Sequence, residues 1–240
     1  LPPALKTIRA DLTKKRKSFA PDVVMNLRPE LKLDWATHKA AKYAVENWHY
    51  SGCMPSGKLV KIGVWERDKF IGVVMFGRGA SPYMAQHKGL KQTECAELVR
   101  IALNDHKTPV SRIVKIALTF LRKNSPGIKL VVSFADQSEG HHGGIYQAGN
   151  WVYTGITAPS NFYIIKGKKT HPRSLGAKGK EQSIKGAREL DKNATIFRCE
   201  GKHRYMMAFD DEVYQRIILN KQPYPKREKQ AMAVPSAQRR

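Results

Sequence analysis

Apolar and polar positions alternate through "KLVKIGVWE", residues 58–66, and after Arg67-Asp68 the chain becomes almost continuously apolar in "KFIGVVMFG". Alternation has the period of a strand with one wet face, and an unbroken apolar run suits a strand covered on both faces. Two turn-forming residues between them predict a tight hairpin. Upstream, Ala36, Ala40, Val45 and Trp48 oppose Lys39, Lys42 and Glu46, so a helix capped by Asp34 or Thr37 should run to about Trp48, where "HYSGCMPSG" breaks it. "CAELVRIAL" reads as a third strand. In "VSRIVKIALTFLRKN" the residues Val110, Ile113, Val114, Ala117, Leu118 and Leu121 form one helical face, and "SPG" stops that helix. "IKLVVSF" is an interior strand by its β-branched content, and strand, helix, strand in this order implies a parallel crossover. "WVYTG", "NFYIIKG" and "KHRYMMAFD" add further strands, and no internal repeat is visible.

The chain has 240 residues and 41% hydrophobic content, enough to bury one core, with no apolar run near the roughly 20 residues of a membrane helix. Its start lacks the apolar stretch of a secretory signal, and Cys53, Cys95 and Cys199 have no metal-type spacing. Reduced cysteines and a cytoplasmic location are expected. A formal charge of +23 changes the picture, because such an excess calls for a polyanionic partner. Most of it lies in three stretches: +5 over 1–20, +8 over 164–204 and +5 over 221–240. The division expected is a basic N-terminal arm over 1–20, one α/β domain over 21–220, and a basic tail over 221–240. Within the domain, about 166–204 is expected to be a flexible basic loop, since its lysines alternate with glycines and small residues. Lys168, Lys169, Arg173, Lys178 and Lys180 are its candidate phosphate contacts, with nucleic acid preferred to an anionic membrane.

The order helix, hairpin, strand, helix, parallel strand, short helix, strand resembles the GNAT-like N-acyltransferase fold, a mixed twisted sheet flanked by helices. "LVRIALNDHKTPVSRIVKIAL" resembles that fold's acyl-CoA signature, in which a splayed strand and a helix N-terminus receive the cofactor. The resemblance implies acetyl-CoA, with Arg100, Ile101, Leu103 and Arg112 as binding residues. Where the usual loop has paired glycines, 104–112 has Pro109 and no glycine. "GIYQAGNWVYTG" is similar to the fold's tyrosine-bearing segment.

"NWHYSG", "FGRGAS", "ELVRIAL", "SFADQSEGHHGGIYQAGNWVYTG", "PRSL" and "KHRYMMAFD", in this order, resemble the Mom family of phage DNA-modification proteins. That resemblance implies an enzyme converting adenine N6 of double-stranded phage DNA to a methylcarbamoylated form that shields it from host restriction. It also implies acetyl-CoA as donor and an iron requirement.

Read residue by residue, the carboxyl end of an interior crossover strand opens into a ligand crevice, which places Ser133 and Asp136 there. Gly140, Gly143 and Gly144 remove bulk where a ligand approaches backbone. Tyr146 matches the acid that protonates a leaving thiolate in GNAT enzymes. His49, just past a helix end and followed by Tyr50, is a candidate base near neutral pH or an iron ligand, with Asp136 as companion. Glu97 competes for that place, and both carboxylates are candidate partners for Arg100. His141 and His142 are adjacent, so on a helix their side chains diverge. A flipped adenine needs an aromatic to stack on, and Tyr50, Trp151 and Tyr153 are candidates, Tyr153 also as a DNA contact. Two rivals stand beside the enzyme: a non-catalytic DNA-binding protein, and a conventional acetyltransferase acting on a protein or small amine.

Overall fold

The computed structural model describes residues 30–79, 83–86 and 88–226. The arm over 1–20 and the tail beyond residue 226 lie outside the described residues.

A short strand not anticipated from sequence, β1 (Leu31–Trp35), precedes helix α1 (His38–Trp48), whose N-cap is Thr37 and not Asp34. The predicted hairpin is β2 (Leu59–Glu66) and β3 (Lys69–Gly77). Its turn residues have φ of 48° at Arg67 and 63° at Asp68, the left-handed pair that matches strand twist. Then follow α2 (Tyr83–Gln86), β4 (Cys95–Leu103), α3 (Val110–Asn124), β5 (Leu130–Ala135), α4 (Gly144–Gln147) and β6 (Val152–Ile156). After an excursion described below come β10 (His203–Ala208) and α7 (Asp211–Ile218).

The main sheet has the order β1-β2-β3-β4-β5-β10-β6. Only β4 and β5 pair in parallel among its described strands, the pair joined by the crossover through α3. Period-two alternation splits the core between two faces. Val74, Phe76 and Val131 face Ile113, Ala117 and Leu121 of α3. On the other side, Val73 and Met75 meet Ala41, Ala44 and Val45 of α1, while Leu130, Val132 and Met206 meet Val213 and Ile217 of α7. The apolar continuity of β3 and β5 thus reflects helices on both faces. No helix among the described residues is long and apolar enough to cross a membrane.

The basic stretch expected as a loop is folded. β7 (Ser160–Ile165), β8 (Lys168–Thr170), α5 (Pro172–Gly176), α6 (Ile184–Leu190) and β9 (Thr195–Cys199) form a second unit whose sheet has the order β8-β7-β9. Tyr163, Leu175, Ala187 and Ala194 give it a small core, and His171 and Ser183 cap its helices. Four apolar side chains scattered among many lysines were enough, which a charge-weighted reading overlooks. "NFYIIKG" therefore belongs to this small sheet, and "KHRYMMAFD" to the main one.

Residues 221–226 run back along β6. The Gln222 amide donates to the Tyr153 carbonyl at 2.9 Å, the Tyr224 hydroxyl to the Trp151 carbonyl at 2.7 Å, and the Gln147 side-chain amide to the Pro225 carbonyl at 3.1 Å.

Gly143 has φ 82°, and a Cβ there would lie 2.2 Å from the Tyr205 ring; Gly140 has φ 70° with open space around it. Gly143→Ala should therefore cost roughly 3 kcal/mol or more, combining overlap and a left-handed backbone, and Gly140→Ala only about 1 kcal/mol. Urea unfolding of the two variants measures the difference.

Candidate active site

The parallel ladder between β4 and β5 runs from Cys95–Leu130 to Leu98–Ser133 and stops. Beyond it β4 stays paired to β3, and β5 to β10. The strands part, and the gap is a cleft of about 630 Å³. Its walls are Leu98, Val99, Arg100, Ile101 and Leu103 of β4, Phe134 and Ala135 of β5, the 140–146 segment, and Trp48, His49 and Tyr50 just beyond α1. His106 and Val110 bring in the start of α3, a fifteen-residue helix with no acidic residue in its first turn and no side-chain cap on its N-terminal amides.

Tyr146 lies at the apex, 7% exposed. Its hydroxyl is 2.8 Å from Ser133 Oγ, which is also 3.0 Å from the Leu98 carbonyl at the last rung of the ladder. Ser133 is fully buried behind the tyrosine. Burial pushes the Tyr146 phenol up to about 12, against a smaller opposing effect of the Ser133 hydroxyl. It holds its proton throughout the physiological range.

At the mouth, Tyr50 stacks on His49 with ring centres 4.3 Å apart and meets the edge of His141 at 5.4 Å. The Ser51 amide donates to His49 Nδ1 at 3.1 Å, and Ser51 Oγ is 2.9 Å from the same nitrogen. In the neutral ring the proton is therefore on Nε2. Burial first, then Arg100 and His141, lowers the His49 pKa to about 4, which removes the near-neutral proton transfer expected of it. Arg100 donates to the carbonyls of Val99 at 2.7 Å and Cys53 at 3.4 Å, while its Nε is buried without a partner.

Several candidates are not brought together. Asp136 caps the turn that follows β5, accepting from Ser138 N at 3.1 Å and Ser138 Oγ at 2.7 Å, and pairs with Lys202 at 2.7 Å. Burial raises its pKa, but the bonds from Lys202 and Ser138 outweigh that and leave it below the usual range. With Asp136 so engaged by Lys202 and Ser138, the pair does not fit an iron ligand set. No group of three or more His, Cys, Asp or Glu suited to a metal occurs among the described residues. Arg112 is exposed on α3 and does not line the cleft. Tyr153 is corrected from DNA contact to core: it is 5% exposed, packs on Tyr205 at 5.1 Å, and bonds His203 Nδ1 at 2.9 Å. Trp151 is likewise buried at 1% exposure. Gly143 and Gly144 do line the cleft, but their missing Cβ atoms make room for Tyr205 and His142. Lys168, Lys169, Arg173 and Lys178 are exposed on the small unit, and Lys180 pairs with Glu189 at 3.0 Å.

The sequence reading missed Glu66. Its buried carboxylate accepts from the amides of Lys107 at 2.9 Å and Thr108 at 2.7 Å, fixing the glycine-free segment that leads into α3. Burial raises its pKa, and these bonds more than offset the rise. The only available signal was an acid closing the alternating strand, next to the hairpin turn.

A seven-stranded mixed sheet flanked by helices and opening at its parallel pair, with a helix N-terminus and a buried tyrosine at the opening, has the GNAT-like fold. Within that class the chain belongs to the Mom protein family, whose model matches residues 30–226. It is similar to the methylcarbamoylase Mom of Escherichia phage Mu, at 25% identity over 206 residues, covering 82% of this chain and 84% of the relative. Among solved structures it is similar to a Bacillus subtilis acetyltransferase in complex with CoA, with TM-score 0.43, 13% identity, and 76% and 100% of the two chains covered. It is also similar to FeeM, an N-acyl amino acid synthase from uncultured soil microbes, with TM-score 0.45, 10% identity, and 81% and 98% covered.

Because His49 is protonated only near pH 4 and below, its NMR resonances should stay flat between about pH 5.5 and 8. In Arg100→Gln the midpoint should rise part of the way toward the ordinary imidazole value, since the guanidinium charge beside the ring is gone while burial, the larger cause, remains.

Proposed function

We propose that this protein modifies adenine N6 in double-stranded DNA to the methylcarbamoylated base, using an acyl-CoA bound in the cleft, and that the modification protects phage DNA from restriction in the host cytoplasm. The observation that carries this reading is the Tyr146–Ser133 pair at the apex of the cleft, in a chain of the Mom family.

When bound, the thioester supplies an activated carbonyl. The residues that would hold it are the unpaired edge of β4 at Arg100, Ile101 and Leu103, the α3 N-terminus, and the Arg100 guanidinium, whose buried Nε lacks a partner. Glu66 contributes by fixing the 107–108 backbone. Tyr146, protonated and water-poor, is placed to deliver a proton to a leaving thiolate, and Ser133 then steadies the phenolate oxygen. His49 stays neutral and acts through Nε2–H as a donor and as the stacking partner of Tyr50. Tyr50, 56% exposed at the mouth, is the surface for an extruded adenine. A methylcarbamoyl group has a nitrogen between methyl and carbonyl, so moving an intact acetyl group does not balance; inserting that nitrogen removes two electrons from carbon, and the reaction therefore also draws on a nitrogen donor at the hydroxylamine level, or on an amine together with a two-electron oxidant.

Coexpression with a plasmid, followed by nucleoside mass analysis, should show deoxyadenosine carrying the methylcarbamoyl group. Unmodified deoxyadenosine from a folded, well-expressed chain would reject the reading, and CoA release on a small amine without DNA would favour an ordinary acetyltransferase. Tyr146→Phe should reduce turnover roughly 10²–10⁴-fold with DNA affinity retained. Neutralising Lys168, Lys169, Arg173 and Lys178 together should weaken DNA binding and flatten its dependence on salt, in a titration of affinity against ionic strength.

A further inference from the structure

The small sheet has two unlike faces. Tyr163, Leu175 and Ala187 fill the side against α5 and α6. On the other side Phe162 and Phe197 are register partners across β7 and β9, and Phe197 is 41% exposed. The Lys169 ammonium sits over both rings, 5.0 Å from the centre of Phe162 and 4.6 Å from that of Phe197. The His171 ring meets Phe162 edge-on at 5.0 Å. Exposed lysines and arginines surround them in the stretch that carries +8.

The small sheet is tied to the cleft lip. β9 ends at Cys199 and β10 begins at His203; in the connection between them Lys202 pairs with Asp136 at 2.7 Å, and the Gly201 carbonyl accepts from the Gln137 side-chain amide at 2.7 Å. Asp136 and Gln137 directly follow β5 and lead into Gly140 and His141 of the cleft wall.

A nucleotide offers a flat apolar base and an anionic phosphate a few ångströms apart. Two phenylalanine rings with a lysine ammonium between them present the complementary pair at that spacing. Rings of this kind accept any base, because stacking does not read hydrogen-bonding edges. The ammonium is mobile on four methylenes and can turn from the rings to a phosphate. We propose that Phe162, Phe197 and Lys169 form a seat for one nucleotide of the DNA strand flanking the target adenine, its base on the rings and its phosphate on Lys169. The seat rests on the DNA reading given above, and it deepens that reading by placing a stacking contact outside the cleft.

The full chain is titrated with a fluorescein-labelled DNA duplex by anisotropy, at several salt concentrations. The Phe162→Ala, Phe197→Ala double variant should lose roughly tenfold in affinity with an unchanged salt slope, because no phosphate contact is removed. Lys169→Ala should instead lower that slope by about one. Phe197→Leu keeps apolar bulk without the ring and should lose part of the affinity; if the double variant unfolds, this comparison decides alone. Wild-type affinity in the ring variants, with wild-type thermal unfolding, overturns the seat. Adenine left unmodified by a wild-type chain that still binds DNA through the rings rejects the enzymatic reading and keeps the seat. A wild-type chain that binds no duplex overturns both.

Discussion

Two parallel strands that separate leave facing edges whose amides and carbonyls have no ladder to join. Such groups are costly to bury unpaired, so the space between β4 and β5 beyond Leu98 and Ser133 cannot simply close over with apolar side chains. It must stay open to water or to a ligand. Each strand survives the separation because its outer edge keeps a neighbour, β3 for one and β10 for the other. The remaining elements are arranged around that opening. The start of α3 lies at one side, the 140–146 segment at another, and Trp48 to Tyr50 across the mouth.

Beneath the apex the core is aromatic yet hydrogen-bonded. Tyr146, Trp151, Tyr153 and Tyr205 pack ring against ring at about 5.1 Å. Their hydroxyls are all matched: Tyr205 donates to the His142 carbonyl at 2.6 Å, Tyr153 pairs with His203, and Tyr146 pairs with Ser133. Buried polar groups rigidify a core when every one is satisfied. Here they also couple the cleft to β10, because Tyr205 lies under Gly143 and bonds the carbonyl of His142. The Asp136–Lys202 pair joins the cleft lip to the connection between the small sheet and β10.

Much of this was legible from periodicity. The α1 and α3 faces, the hairpin turn at Arg67-Asp68, and the buried β5 strand follow from apolar spacing alone, since packing against both sheet faces demands it. His49, Tyr50, Arg100 and Tyr146 do line one cleft, but Arg100 and Tyr146 were marked by resemblance to the acyltransferase fold and His49 and Tyr50 by their place after a helix end, not by periodicity. What failed to show were features fixed by long-range contacts. Asp136 and Lys202 lie far apart in the chain, so the ion pair that occupies the carboxylate is invisible locally. Tyr153 looks the same in sequence whether it faces DNA or Tyr205. The pKa of His49 depends on Arg100, contributed by a different strand. The small sheet was hidden because its few apolar residues are diluted by lysines. β1 escaped because its five residues, "LKLDW", are too few to display a period.

The strap formed by residues 221–226 has a consequence for how the protein is made. β10 supplies Tyr205 to the apex, and Pro225 accepts from Gln147, the residue immediately after Tyr146. Both lie at least 70 residues beyond the end of β5 at Ala135. During synthesis on the ribosome, β1 to β5 and α3 can assemble before them, yet the tyrosine pocket has no floor until β10 has emerged. Completion of the pocket thereby waits on residues remote from its walls, so a chain stopped short of Tyr205 has an opened sheet with nothing beneath it.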